Sequence, residues 1–274
     1  MSTFKRTLVA SLSISVLGLV AYGVAAGNKA VTGPRDPLSF GLIHRWTLDG
    51  NASDSVGKMN TTPIGPVSYA EVGGALGMVF DGETTGISFP TQPDMQFEGS
   101  FSISVWANLF ARPSGGKLWS DIIFNGDDRP GLDPYALQAD HNGHIQFLLT
   151  GANGSGSGID APMPLNTFVY LTATYDKATG TQSFYEDGKL VNQITGNTTL
   201  TPVVPLVGDA KPGIGIGTNN SFPNSSYHYG WKGIIAELRI YNRALAPAEA
   251  LALYHQGVTR TATTKITPVI NPTR

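Results

Sequence analysis

The sequence contains no cysteine and little charge. None of its 274 residues is a cysteine, which excludes a disulfide framework, thiol chemistry and a cysteine-bound zinc site. Charged residues make up 14% of the chain, whereas it has 33 glycines and 18 prolines. Low charge combined with many turn-forming residues is typical of an exported all-β domain. Without disulfides the fold depends on a hydrophobic core, and a chain of this length is long enough to bury one.

Basic residues are not in excess either. The net charge is −2 and the isoelectric point is about 6.2, so no basic surface is predicted to recruit nucleic acid. The five histidines are single residues, apart from His141 and His144, and the spacing of a histidine zinc site is missing. No glycine-rich loop ends in the Lys-Ser/Thr pair that cradles a phosphate.

The first 26 residues have the pattern of a secretory signal. Lys5 and Arg6 precede an apolar stretch over residues 8–24, and this stretch ends in small residues suited to cleavage. It is slightly shorter than the about 20 apolar residues of a spanning helix, and serines and glycines interrupt it. We therefore expect a secreted or periplasmic protein, membrane-bound only if this segment is retained. Residues 27–39 are expected to form a linker.

Residues 40–257 show the two-residue period of β-strands between turn signals. In such a strand, alternate side chains point to opposite faces. Residues 234–240 alternate in the same way, which places Ile234, Ala236, Leu238 and Ile240 on one predicted face. One stretch places five apolar side chains on one face: Phe101, Ile103, Val105, Ala107 and Leu109. Many short strands of this kind predict two antiparallel sheets packed face to face.

A short helix is predicted near the end of the chain. Pro247 suits a first helical turn, and residues 248–256 are rich in helix-forming residues. Gly257 is predicted to be the C-cap. The Thr/Pro-rich residues 258–274 have no core pattern and are expected to form a mobile tail.

Five segments together resemble the laminin-G-like domains of the concanavalin A-like lectin/glucanase jelly-roll superfamily. The closing segment reads KGIIAELRIYNRALAPAEALALY, and a central hairpin carries the run Tyr-x-Asp-Gly-Lys. The resemblance implies an all-β, two-sheet antiparallel jelly-roll sandwich with one short C-terminal helix. The segments with this resemblance are residues 42–57, 73–82, 97–110, 166–191 and 232–254.

Aromatic residues on a polar strand face and in one loop are the candidate ligand-binding residues. An aromatic ring can stack on the C–H groups of a sugar while polar neighbours bond its hydroxyls. The alternative is that Trp106 packs beneath loops and that the loop aromatics fold onto the sheet. The candidates are Trp106, Trp119, Tyr227, His228, Tyr229 and Trp231.

Calcium is the one cofactor that the resemblance suggests. Many relatives hold calcium between the first-strand loop, a Phe-Asp-Gly turn and an aspartate on the last strand. Asp49 and Asp81 match the first two positions, but Ala236 stands at the third. The oxygen-rich loop at residues 125–133 is a second candidate, although such loops are usually solvated turns. No other cofactor is expected.

The carboxylate pair of a glucanase is missing. Glucanases on this scaffold carry two acids at a Glu-x-Asp-x-x-Glu spacing on one strand, and no such run occurs here. His144 and Gln146 echo part of a lyase site, but in the wrong order. The sequence therefore predicts an exported, non-catalytic binding module whose ligand is a glycan or an extracellular protein. The alternative is a self-assembling surface protein, and a diverged hydrolase or lyase using Glu237 ranks last.

Overall fold

The computed structural model describes residues 36–59, 61–72, 75–126, 133–151, 156–197, 200–202, 213–219 and 229–261. These residues belong to one compact unit that begins at Asp36. The predicted signal segment and most of the predicted linker lie outside the described residues. Within the described part of the chain, no helix is both long and apolar enough to cross a membrane.

The described strands form two antiparallel sheets. The larger sheet has the order β12-β11-β10-β5-β14-β3-β2, with β1 also paired to β14, and the smaller sheet has the order β4-β13-β6-β7-β8-β9. The predicted all-β jelly-roll sandwich is therefore confirmed. The strands are β1 (Leu42–Trp46), β2 (Ser68–Val72), β3 (Ala75–Asp81), β4 (Ile87–Pro90), β5 (Phe101–Leu109), β6 (Trp119–Gly126), β7 (Tyr135–Asp140), β8 (His144–Thr150), β9 (Gly156–Pro162), β10 (Phe168–Asp176), β11 (Thr181–Glu186), β12 (Lys189–Ile194), β13 (Gly213–Ile216) and β14 (Lys232–Tyr241).

The main core lies between the sheets and is built by the alternating apolar residues. The five apolar side chains predicted to share one face of β5 are all fully buried in it. Leu137, Phe147 and Ile159 enter the same core from neighbouring strands of the smaller sheet. Burying one such large aliphatic or aromatic side chain contributes roughly 1.5–3 kcal/mol, so these rows supply most of the driving force for sandwich formation.

A β-bulge in β14 changes which of its residues face the core. The pairing of β14 with β5 shifts between Ala236 and Arg239, and Glu237 has a positive φ of 51°. Ile235 and Leu238 therefore both belong to the main core. The predicted strict alternation through Ile234 and Ala236 is wrong, because one extra residue in a bulge exchanges the two faces beyond it.

The C-terminal helix α1 (Pro247–Thr261) covers the outer face of the larger sheet. It begins at the predicted proline but continues four residues beyond Gly257, so that glycine is not a C-cap. A Cβ atom on Gly257 would lie 2.2 Å from Nε1 of Trp106, which explains why only glycine fits there. Leu253 joins Tyr170 in a second apolar cluster beneath the helix.

Arg243 fixes the start of the helix. Its guanidinium donates two 2.7 Å hydrogen bonds to the carboxylate of Glu249, and its Nε donates to the carbonyl of Phe40 at 2.8 Å. Nearby, the backbone N–H of Leu245 donates to Oγ of Ser102 on β5 at 2.9 Å. The Asn-Arg-Ala-Leu run after β14 thus ties the helix to both the sheet and the N-terminal segment.

Candidate functional site

The outer face of the smaller sheet carries a row of polar side chains. Asp121, Gln138, Gln146 and Asp160 lie directly opposite one another across β6, β7, β8 and β9. Their sequence neighbours point into the core, so these four point away from it. Four polar groups aligned across four strands form a continuous strip, which we call the polar row.

The polar row has a buried half and an accessible half. Asp121 and Gln138 are buried, whereas Gln146 is half-buried and Asp160 is exposed. Nε2 of Gln138 donates to Oε1 of Gln146 at 3.2 Å, which orients the second amide. A Cβ atom on Gly158 would lie 2.8 Å from Nε2 of Gln146, so any larger residue at position 158 would crowd the Gln146 amide.

Trp119 stands at the end of the sheet next to the polar row. It begins β6 on the outer face, opposite Asp140, and is half-buried. The backbone N–H of Asp121 donates to the carbonyl of Tyr229 at 2.8 Å, and Oγ of Ser120 donates to the carbonyl of Gly230 at 2.9 Å. The structure therefore brings the backbone of Tyr229 to the strand that carries Trp119.

The turn between β7 and β8 adds an accessible histidine. Oδ1 of Asp140 accepts the backbone N–H groups of Asn142, Gly143 and His144 at 2.9, 2.7 and 2.8 Å. Burial alone would raise the pKa of Asp140, but these hydrogen bonds outweigh it and lower the pKa. Asp140 is thus an ionised turn-forming group, and its Oδ2 lies 3.6 Å from Nδ1 of His144, whose side chain is 46% exposed.

Two of the predicted ligand-binding residues are placed elsewhere. Trp231 is fully buried in the main core, and its Nε1 donates to the carbonyl of Asn108 at 3.2 Å. Trp106 lies on the other sheet beneath α1, with ring centroids 5.0 Å from Tyr170 and 5.8 Å from Tyr254. The prediction for Trp231 is corrected, because this side chain is fully buried between the sheets. Trp106 is half-buried and packs against Tyr170 and Tyr254, away from the polar row.

The remaining aromatic candidates are only partly described. Tyr227 and His228 lie outside the described residues, whereas Tyr229 is half-buried beside β6. Sequence reasoning missed Gln138 and Asp160. The available signal was the alternation of polar and apolar residues through β7, β8 and β9, which marks the outward positions of each strand.

The predicted calcium ligands are engaged locally. Oδ1 of Asp81 accepts the backbone N–H groups of Glu83, Thr84 and Thr85 at 2.9, 2.7 and 2.9 Å, and Oδ2 accepts the hydroxyl of Thr84. Burial would raise the pKa of Asp81, but these bonds lower it to about 2. Asp49 accepts the hydroxyl of Thr47 at 2.5 Å.

Calcium binding at Asp49 and Asp81 stays a prediction. No group of three or more histidine, aspartate or glutamate side chains among the described residues could hold a metal ion. Ala236, at the third expected position, packs against Gly77. Residues 127–132 of the second candidate loop lie outside the described part of the chain, so calcium binding there stays a prediction.

Glu237 is held between two arginines. Arg45 donates to its two carboxylate oxygens at 2.9 and 3.0 Å, and Arg239 donates to one of them at 3.1 and 3.3 Å. The side chain is only 11% exposed. A carboxylate that is buried and bound by two arginines in this way is poorly placed to contact a substrate.

Comparison with solved structures places this fold among toxin binding domains. The receptor-binding domain of botulinum neurotoxin C/D mosaic serotype matches with a TM-score of 0.60 at 14% identity, covering 79% of this chain and 51% of that one. The binding domain of Paraclostridial Mosquitocidal Protein 1 matches with a TM-score of 0.60 at 15% identity, covering 79% and 52%. The binding domain of botulinum neurotoxin DC in complex with SialylT gives 0.60 at 14% identity, covering 80% and 52%.

The chain thus spans about half the length of these solved domains, and at this identity the likeness shows a shared fold. No curated protein matches the chain by sequence. A family model does match: Laminin_G_3, of the concanavalin A-like lectin/glucanases superfamily, aligns with residues 81–250. With the two-sheet sandwich and the polar outer face in place, this match over more than half of the chain shows that the protein belongs to the Laminin_G_3 family of concanavalin A-like domains.

Proposed function

We propose that this protein is a non-catalytic binding module that holds a glycan on the outer face of its smaller sheet. The observation that carries the proposal is the polar row, whose accessible residues Gln146 and Asp160 lie on the same face as the half-buried Trp119. Side-chain amides and carboxylates bond sugar hydroxyls, and an aromatic plane packs on the apolar side of a sugar ring.

The spacing of this face suits a saccharide of more than one ring. Neighbouring strands lie about 4.8 Å apart, so Trp119 and His144, which are two strands apart, are separated by about 10 Å across the sheet. His144 and Gln146 are two residues apart on β8 and share its outer face. A ring stacked on Trp119 would therefore place the next ring within reach of His144 and the accessible half of the polar row.

The same geometry argues against glycoside hydrolysis. Asp121 and Asp160 are three strand spacings apart in the polar row, about 14 Å. Glycosidases need two carboxyl groups about 5–9.5 Å apart. Glu237 is bound by two arginines on the other sheet, so the last-ranked alternative has no available acid pair among these residues.

Solved binding domains of similar fold support a binding role. The binding domain of botulinum neurotoxin DC has been solved in complex with SialylT and in complex with rat synaptotagmin II, so that domain, about half of which this chain matches, binds both a glycan and a protein. An extracellular protein is accordingly the alternative ligand here. Exposed Leu118, next to Trp119, is an apolar contact that such a partner would use.

Export remains part of the proposal. It rests on the charged, apolar and small-residue segments of the first 26 residues. N-terminal sequencing of the protein recovered from the culture medium or periplasm tests it. A chain that begins near residue 27 would support cleavage, and an intact N-terminus in the membrane fraction would support a retained anchor.

The binding role is tested with a glycan array followed by titration calorimetry. Trp119→Ala is expected to remove binding of any glycan that the wild type retains. Phe40→Ala is the control, because it removes a highly exposed aromatic ring near the start of α1 and should leave binding unchanged. The absence of any glycan ligand would remove the proposal. Light scattering of the same sample tests the self-assembly alternative, which a monodisperse monomer would contradict.

A further inference from the structure

Negative charge is concentrated in the stretch of sequence that contains β6 to β9. Residues 119–162 contain one basic residue, Arg129, against six aspartates, a net charge of −5 in a chain whose total is −2. Outside this segment, residues 36–257 carry ten basic and fourteen acidic residues, so most of the acidic charge there is balanced by basic side chains. The aspartates of this segment are Asp121, Asp127, Asp128, Asp133, Asp140 and Asp160.

The strands themselves show the same asymmetry. No lysine or arginine occurs in β4, β6, β7, β8, β9 or β13 as the structure defines them. The strands of the larger sheet carry both signs of charge, with five acidic residues beside Arg45, Lys189, Lys232 and Arg239. A face with charge of one sign attracts ligands of the opposite sign and repels ligands of its own sign. The proposed ligand face is thus acidic.

Asp160 is the acidic group that a ligand would meet. The carboxylate of Asp140 accepts the backbone N–H groups of its own turn, and Asp121 is fully buried. Asp160 is exposed on β9, and its carboxylate accepts no hydrogen bond or ion pair from the described residues. The backbone carbonyl of Asp160 accepts Nδ2 of Asn192 on β12 at 2.9 Å, which ties this edge strand to the other sheet.

Asp160 also has a suitable neighbour. Gln146 lies directly opposite Asp160, and Oε1 of Gln146 accepts a hydrogen bond from Nε2 of Gln138. The Gln146 amide therefore presents N–H donors beside the Asp160 carboxylate. A donor next to an anionic acceptor matches a sugar that carries a hydroxyl oxygen and an adjacent ammonium group.

Building on the proposed glycan-binding function, we infer that the outer face of the smaller sheet selects saccharides with free amino groups over acidic saccharides, with Asp160 as the partner of the ammonium group. An ammonium gains a charge-assisted hydrogen bond to Asp160, and the surrounding negative field favours its approach. A uronate or sialate carboxylate meets the same field as repulsion. The strands of this sheet contain no lysine or arginine, and the Arg112 guanidinium lies at the β7–β8 turn, against Gly143.

Titration calorimetry with three tetrasaccharides tests this selectivity at pH 6, where the amines are charged. The probes are a glucosamine tetramer, an N-acetylglucosamine tetramer and a galacturonic acid tetramer, each at low and high salt. The glucosamine tetramer should bind tightest and weaken at high salt, because salt screens exposed charges. The galacturonic acid tetramer should bind weakest.

The matched variants are Asp160→Asn and Glu71→Gln. Asp160→Asn should weaken the glucosamine tetramer about three- to five-fold, the range expected for losing an exposed ion pair, and change the N-acetylglucosamine tetramer less than about two-fold. Glu71→Gln removes the same charge from exposed β2 of the other sheet and should change neither.

The outcomes separate the two proposals. If the acidic tetramer binds as well as the amino tetramer, or if Asp160→Asn changes nothing, the selectivity is wrong while glycan binding stands. If no array glycan and none of the three tetramers binds, both proposals fail.

Discussion

Glu237 bridges Arg45 of the first strand and Arg239 of its own strand, with its carboxylate oxygens 2.9 to 3.3 Å from the two guanidinium groups. Its backbone N–H donates to the carbonyl of Thr47 at 3.1 Å. Glu237 has a positive φ of 51°, a strained backbone conformation for a residue other than glycine. The bulge that imposes this conformation turns the Glu237 side chain toward both arginines. Nη1 of Arg239 then donates to Oε1 of Gln256, which extends the network to α1 at 3.2 Å.

Removing the charge of Glu237 should destabilise the fold strongly. Glu237→Gln leaves two largely buried guanidinium groups without their anion, and breaking a buried ion pair in this way costs about 3–5 kcal/mol. The upper part of that range is not expected, because the side chain of Arg45 is 23% exposed. Urea denaturation measures the loss, with Glu98→Gln on the surface as control. A loss below about 1 kcal/mol would show that the network is weak.

Gly257→Ala should destabilise α1 although alanine is the better helix former. The substitution gains up to about 1 kcal/mol of helix propensity. It also places a methyl group 2.2 Å from Nε1 of Trp106, and overpacking costs about 1–3 kcal/mol. Since the indole ring is rigid and packs at a tilt of 42° against Tyr254, we expect a net loss of stability by thermal denaturation. Gly99→Ala is the control, because open space surrounds that glycine. A stabilised Gly257→Ala would contradict the close packing.

Stability should fall as the pH drops from about 4 toward 2. The pKa of Asp81 is lowered to about 2 in the folded state, since hydrogen bonds from Thr84, Glu83 and Thr85 outweigh burial, whereas the ordinary value is 3.8. A lowered folded-state pKa gives stability that is complete above the unfolded-state pKa and is lost as the pH falls through the folded-state value. Denaturation midpoints across this range should fall for the wild type and fall less for Asp81→Asn. Equal slopes would show that Asp81 does not drive the loss.

Trp231 and Trp119 should separate stability from binding. Trp231→Phe removes the buried indole N–H that donates to the carbonyl of Asn108, and losing such a hydrogen bond costs about 0.5–1.5 kcal/mol. It should leave glycan affinity unchanged because the indole is fully buried. Trp119→Ala should do the reverse, with little change in unfolding and a loss of binding. Calorimetry measures the glycan affinity of both variants, and denaturation measures their stability. A Trp231→Phe protein that is stable but does not bind glycan would show that Trp231 belongs to the binding site.

Local periodicity predicted most of the architecture. The alternation in β5 identified which side chains enter the core, and the Asp187-Gly188 turn identified the hairpin of β11 and β12. Periodicity failed in β14, because a bulge is set by pairing with two neighbouring strands rather than by the residues of the strand alone. It also failed at Gly257, which looks like a cap but is required by Trp106 on another strand.

The sequence by itself determined that this chain is an all-β sandwich with one closing helix, because a strand's two-residue period and the residues of its turns are local properties. It also determined the charge of the segment from Trp119 to Pro162. Only the tertiary structure decided that Trp46 and Trp231 are fully buried, and only it placed Asp121, Gln138, Gln146 and Asp160 side by side. The reason is physical: cross-strand neighbours follow from the register of hydrogen-bonded pairs, and no spacing along one strand specifies that register.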